Sequence, residues 1–286
     1  MSDWSRRAAL VLVSAVLLAI VAAQIDVRQA AALALRPHAL AWLAAALLLF
    51  NVSKITGAHR LNCFQRHAAI ALSGADNLRL YYAGMFLNVC LPGGIGGDGY
   101  KVAMLAKHLG TPIKTALLAT VADRVSGLLP LLALLALLLP ALPLPWLPGA
   151  VAALAILLSS LALAVLLHRR LLGMTARRSV HMLLLGAAVQ LLQLACMGTL
   201  LAFQQVALPA LLPYLALFLV SSAVAVLPFS WGGLGLRELT FLFGARLLQC
   251  DPLPGIVASS AFFLITLLSA LPGALFLSGI RSAGAP

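Results

Sequence analysis

The eleven residues Leu91-Pro92-Gly93-Gly94-Ile95-Gly96-Gly97-Asp98-Gly99-Tyr100-Lys101 recur as Leu227-Pro228-Phe229-Ser230-Trp231-Gly232-Gly233-Leu234-Gly235-Leu236-Arg237. Both copies fit L-P-x-x-x-G-G-x-G-x-[K/R], and every matched position is displaced by 136 residues. Each copy interrupts strongly apolar sequence. A glycine-rich break ending in a cation, set once in each half of a hydrophobic chain, is the pattern of a duplicated membrane transporter, whose substrate site forms where broken helices of the two halves meet. Irregular backbone at membrane depth survives only when buried in protein or lining a wet cavity. The chain must solve that problem twice, at equivalent places.

The rest of the sequence agrees with a membrane setting. Of 286 residues, 63% are hydrophobic and 9% charged, and mean hydropathy is +1.07; a soluble domain carries about 25% charged residues. Apolar runs long enough to cross a bilayer, about 20 residues, fall near 8–23, 37–53, 116–140, 147–167, 182–203 and 254–280. The run 8–23 follows Arg6-Arg7 and also has the form of a signal peptide, but it is needed as the first helix of the first half. Segments 73–110 and 209–252 are apolar yet broken by Gly and Pro near the middle, which suits two half-helices meeting at a loop.

The net charge of +12 comes from short basic clusters between apolar runs, with no basic domain or reading motif for nucleic acid. Cytoplasmic loops rich in Lys and Arg explain it. With the N-terminus, 54–79, 101–114, 168–181 and the C-terminus in the cytoplasm, that side holds fourteen of the nineteen cations, the other side keeps Arg28, Arg36, Arg237 and Arg246, and Arg124 falls inside a span. The first broken segment then enters from the cytoplasm and the second from outside. The expected fold is therefore an all-α polytopic membrane protein. It has six full spans plus two re-entrant helical hairpins, arranged as an inverted-topology repeat in one membrane domain, 1–286, with halves 1–140 and 141–286.

Ionisable groups at membrane depth are costly and face the protein interior or water. Asp98 and Lys101 sit in the first break, Arg237 and Glu238 in the second, and Asp123 and Arg124 about two turns into a span. One reading has Asp123 and Arg124 forming internal ion pairs that hold the bundle. The other has Arg124, Lys101 and Arg237 binding an anionic group, oriented by Asp98, Asp123 and Glu238, since a guanidinium fork suits phosphate oxygens. Half-helices starting after each Gly-Gly would add backbone N–H groups and a positive dipole end. Gly93, Gly94, Gly96, Gly97, Gly232, Gly233 and Gly235 allow the reversals, while Asn88, Gln190, Gln193 and Ser230 are candidate cavity residues.

Other chemistry finds no support in the residues. Gly94 to Gly99 matches G-x-G-x-x-G, but without the strand–helix context of a dinucleotide fold, and Lys101 lacks the G-K-[S/T] of a nucleotide loop. Cys63, Cys90, Cys196 and Cys250 are scattered and read as core residues, and the six histidines have no metal spacing. No catalytic constellation, cofactor motif or metal motif emerges, so the chain is expected not to be an enzyme.

Three stretches together give a resemblance: N-x-x-L-P-G-G-x-G-G-D-G-x-K at 88–101, A-T-V-A-D-R-V-S-G at 119–127, and P-x-S-x-G-G-x-G-x-R-E at 228–238. In this order they resemble the flippase-like membrane domain of lysylphosphatidylglycerol synthases, whose free-standing relatives occur in bacteria and archaea. The resemblance implies a bacterial inner-membrane domain that moves an anionic or aminoacylated phospholipid, or a lipid-linked glycan, between leaflets. It carries over to Asn88, Asp98, Asp123, Arg124, Arg237, Glu238 and the break glycines. The synthases add a cytosolic domain for aminoacyl transfer, and the sequence given ends at Pro286 without one, so synthase activity is not expected. A separate lipid-biosynthetic enzyme is a possible partner. A small-solute or ion transporter on the same architecture, or a non-transporting partner of a membrane enzyme, are the alternatives.

Overall fold

The computed structural model describes residues 39–91, 94–144, 149–225 and 235–277. Among them there is no strand, and they form nine α-helices. These are α1 (Ala39–His67), α2 (Gly74–Cys90), α3 (Gly96–Leu109), α4 (Ile113–Leu138), α5 (Gly149–Ala164), α6 (Ala176–Phe203), α7 (Leu208–Val224), α8 (Leu236–Leu247) and α9 (Pro252–Ala270). α5 continues as a wider π-type turn, Val165–Leu171, and α9 as a tighter 3₁₀ stretch, Leu271–Phe276.

Among the described residues, five segments are long and apolar enough to cross a membrane: Leu40–His67, Ile113–Ala141, Gly149–Leu171, Ala176–Phe203 and Pro252–Phe276. Much of their apolar surface points outward. On α5, Val151, Leu154, Leu158 and Leu161 are all more than half exposed, whereas only Ser160 and Ala164 are buried. A helix with that surface needs hydrocarbon around it. Threonine hydroxyls within the spans bond their own helix: Thr56 to Val52 O, Thr199 to Ala195 O and Thr266 to Phe262 O, at 2.8–2.9 Å. This multi-pass helical membrane architecture meets the coarse expectation. The expected span at 8–23 lies outside the described residues.

One boundary differs from the sequence reading. The second span, placed at 37–53, continues unbroken to His67, so Lys54 and Arg60 lie within a helix and not in a cytoplasmic loop. Arg60 is buried. The other described spans lie within six residues of their expected positions.

α1 and α6 form the centre and run antiparallel. Leu40, Leu43 and Leu47 of α1 lie beside Leu200 and Phe203 of α6, the rings of His59 and His181 approach edge to face, and His67 Nδ1 lies 3.3 Å from Arg178 Nη1. Phe50, Met197, Leu201, Phe218, Phe241 and Phe262 build the largest core cluster with them.

Each broken segment is a pair of short helices packed on one another. α2 begins at Ser73, whose hydroxyl accepts the Asp76 N–H at 3.1 Å, and ends at Leu91. α3 follows at once. The two touch backbone to backbone: a Cβ on Gly97 would run into the Gly84 carbonyl, so only glycine permits this approach. α7 and α8 also pack on one another, here with Gly244 set against the Leu217 side chain.

Candidate functional site

A cavity of about 290 Å³ opens among α1, α2, α4, α6, α7 and α8. Its polar lining is Arg60, Tyr81, Arg124, Gln190, Gln193, Ser222 and Arg237, and Val125, Leu128, Leu131 and Val189 supply an apolar wall. Three guanidinium groups from three helices thus face one space.

Two of those cations have carboxylates. Arg60 Nε donates to Asp123 Oδ1 at 2.7 Å and its Nη2 to the Asp123 carbonyl at 3.0 Å. The guanidinium passes close to Gly127 and Gly186, where any Cβ would press on it. Its Nη1 is buried without a hydrogen-bond partner. Arg124 Nε pairs with Asp98 Oδ2, and Lys101 Nζ takes Asp98 Oδ1 at 2.9 Å while lying 5.1 Å from the Tyr81 ring centre. Arg124 also donates to the Gly94 carbonyl at 3.2 Å, which ties α4 to the first break.

Arg237 is different. It donates to Ser222 Oγ at 3.2 Å and stacks 5.4 Å from the Phe262 ring centre, with no carboxylate in ion-pair range among the described residues. The adjacent Glu238 points away. Its Oε2 accepts the Gly235 N–H at 2.8 Å and its Oε1 the Ser259 hydroxyl at 3.1 Å. Lys54, over the Phe50 ring at 4.4 Å, lies near enough to Arg237 and Arg60 to be repelled by both. Gln190 donates to the Gly127 carbonyl at 3.2 Å, and its own Oε1 is buried and unpartnered.

The expected site residues therefore separate. Arg124 and Arg237 line the cavity. Asp98 and Lys101 form the ion network beside it, and Asp123 is taken up by Arg60. Asn88 accepts the Gly97 N–H at 2.8 Å and so caps α3, while Glu238 caps α8. Each helix start thus spends one N–H group on a side chain of the chain itself. Gly94 and Gly235 adopt positive φ, +64° and +82°, and Gly96 packs on Leu91. Gly93, Ser230, Gly232 and Gly233 lie outside the described residues. Only Cys196 of the four cysteines is fully buried.

Sequence reasoning missed Arg60, Lys54, Tyr81 and Ser222. Counted as loop cations, Lys54 and Arg60 were hidden by the positive-inside rule. The available signal was the absence of any Pro or paired Gly between 53 and 67, which allows the helix to continue.

Residues 7–273 match the family described as the lysylphosphatidylglycerol synthase TM region. The chain belongs to that family. No curated protein matches it. As a member of the lysylphosphatidylglycerol synthase TM family, it carries the membrane region of proteins concerned with lipids, and the cation-lined cavity lies within the matched residues.

Proposed function

We propose that this protein is a lipid transporter of the bacterial inner membrane that moves a phospholipid or lipid-linked anionic headgroup between leaflets, and that it works by transport and not by catalysis. The headgroup enters the cavity and meets Arg237, with Arg124 and Arg60 beside it, while the acyl chains stay in the bilayer. The observation that carries this reading is Arg237: a cation facing a cavity inside an apolar bundle, with its neighbouring carboxylate committed elsewhere. Such a charge is costly without a counter-ion, and an anionic ligand supplies one. Tyr81, Gln190, Gln193 and Ser222 offer further hydrogen bonds.

The architecture proposed is two inverted halves, 1–140 and 141–286, each with two spans, a re-entrant pair and one span. The offset of 136 found in the breaks extends to whole helices. Moved by it, α1 covers 175–203 against Ala176–Phe203 of α6, and α2 covers 210–226 against Leu208–Val224 of α7. The correspondence of α1 and α6 in the repeat, together with their antiparallel packing, supports halves related by inversion. α2, α3, α7 and α8 have 17, 14, 17 and 12 residues, at or below the shortest crossing length, which suits pairs that enter and leave on one side. With Lys54, Arg60 and Lys101 removed from the fourteen cytoplasmic cations, and Arg237 from the opposing four, eleven face three. That bias still favours cytoplasmic termini. Rocking of the halves about α1 and α6 would expose the cavity to each leaflet in turn, driven by unequal affinity of the two states for the lipid. A separate lipid-biosynthetic enzyme would supply that lipid.

Native mass spectrometry of the purified protein tests the ligand. Retained anionic lipid in the wild type, with at least tenfold less in Arg124→Ala/Arg237→Ala of equal thermal stability, is the expected result. Equal retention, or none in either protein, counts against the proposal.

A further inference from the structure

A second cluster lies away from the cavity, toward the end of α1 that meets the start of α6. His59 and Cys63 are one helical turn apart on α1 and so share a face. The antiparallel α6 brings His181 opposite them, 118 residues further along the chain. The ligand atoms of all three lie within 4.8 Å of one another. His59 Nε2 is 3.8 Å from Cys63 Sγ, and the two imidazole rings stand perpendicular with centres 6.4 Å apart.

We infer that His59, Cys63 and His181 form a transition-metal site bridging α1 and α6, for Zn²⁺ or a similarly borderline-soft ion. Tetrahedral zinc, with nitrogen at about 2.1 Å and sulfur at about 2.3 Å, holds its ligands roughly 3.5 Å apart. The His59–Cys63 separation already meets that spacing, and side-chain rotation brings in His181. Two imidazoles and a thiolate suit zinc or copper over magnesium or calcium, which take oxygen. Three protein ligands leave a fourth position, and a recess of about 260 Å³ lies beside them for it, lined also by Met174, Met182, Arg66 and Arg178. His59 and His181 are exposed and Cys63 half-buried, so an ion reaches the site without opening the bundle. The cations Arg66 and Arg178 oppose a bare dication, and the thiolate, which lowers the charge of bound Zn²⁺ to one, is therefore the indispensable ligand. His67 does not complete the set, because its Nε2 lies 2.7 Å from the Leu172 carbonyl and its Nδ1 faces Arg178. A bound ion would fasten α1 to α6.

Tag-free, full-length protein in detergent, titrated with Co²⁺, tests the site independently of lipid transport. Expected is a thiolate-to-cobalt charge-transfer band in the wild type, abolished by one equivalent of Zn²⁺ and absent from Cys63→Ser. His59→Ala and His181→Ala are each expected to weaken binding at least tenfold. Monodispersity and metal-free melting temperature confirm that the variants fold. No band in the wild type, or a band that survives Cys63→Ser and so arises from Cys90, Cys196 or Cys250, overturns the assignment.

Discussion

The two glycine-rich breaks share a sequence pattern and differ in electrostatics. In the first, Asp98 holds both Lys101 and Arg124. In the second, Arg237 has a hydroxyl and an aromatic ring, and Glu238 serves the start of its own helix. Helical spacing explains the contrast. Asp98 and Lys101 are three residues apart on α3 and face the same way, whereas Arg237 and Glu238 are adjacent on α8 and diverge by about 100°. Adjacency in sequence is thus a poor guide to charge pairing in a helix. The first break is an ion-paired anchor joined to α4, with two cations on one carboxylate, and the second presents to the cavity a cation that has no carboxylate in ion-pair range among the described residues.

Variants that break this comparison fall in order of size. Removing a carboxylate from a buried pair leaves an uncompensated charge and costs about 3–5 kcal/mol. Asp123→Ala, which strands Arg60, is therefore expected to give the largest loss of thermal stability, measured by unfolding in detergent. Arg60→Met/Asp123→Leu should recover most of it. Gly97→Ala forces α2 and α3 apart and is expected to cost about 1–3 kcal/mol through overpacking, while Gly99→Ala, with open space around it, does not lower the melting temperature, since alanine favours the helix. Glu238→Gln weakens a helix cap worth about 1 kcal/mol and should leave lipid movement within twofold of wild type. A tenfold loss there would instead make Glu238 part of the lipid site.

How much of this was legible in the sequence depends on range. Membrane class, the long spans and both breaks followed from local composition, since hydrophobic length and Gly/Pro punctuation are local properties. Arg124 and Arg237 were picked out because charge is rare in such surroundings. Arg60 was not, because its partner Asp123 is 63 residues away and nothing near Arg60 marks it as buried. Glu238 was given a place at the ligand because it stands beside Arg237, and the hydroxyl it meets, Ser259, comes from α9. His59 and Cys63 share a helical face, but His181 stands 118 residues beyond Cys63 and no local spacing ties it to them. Their juxtaposition is created only when α1 and α6 pack antiparallel.

Arg237 faces the cavity with no carboxylate in ion-pair range among the described residues, and lipid movement in proteoliposomes tests its proposed role as headgroup ligand most directly. Purified protein is reconstituted with a fluorescent anionic phospholipid, and its passage between leaflets is followed by quenching from outside. The wild type is expected to move the lipid at least tenfold faster than Arg237→Gln, at matched protein content and melting temperature. Equal rates in the two proteins, or no movement above protein-free vesicles, would contradict it.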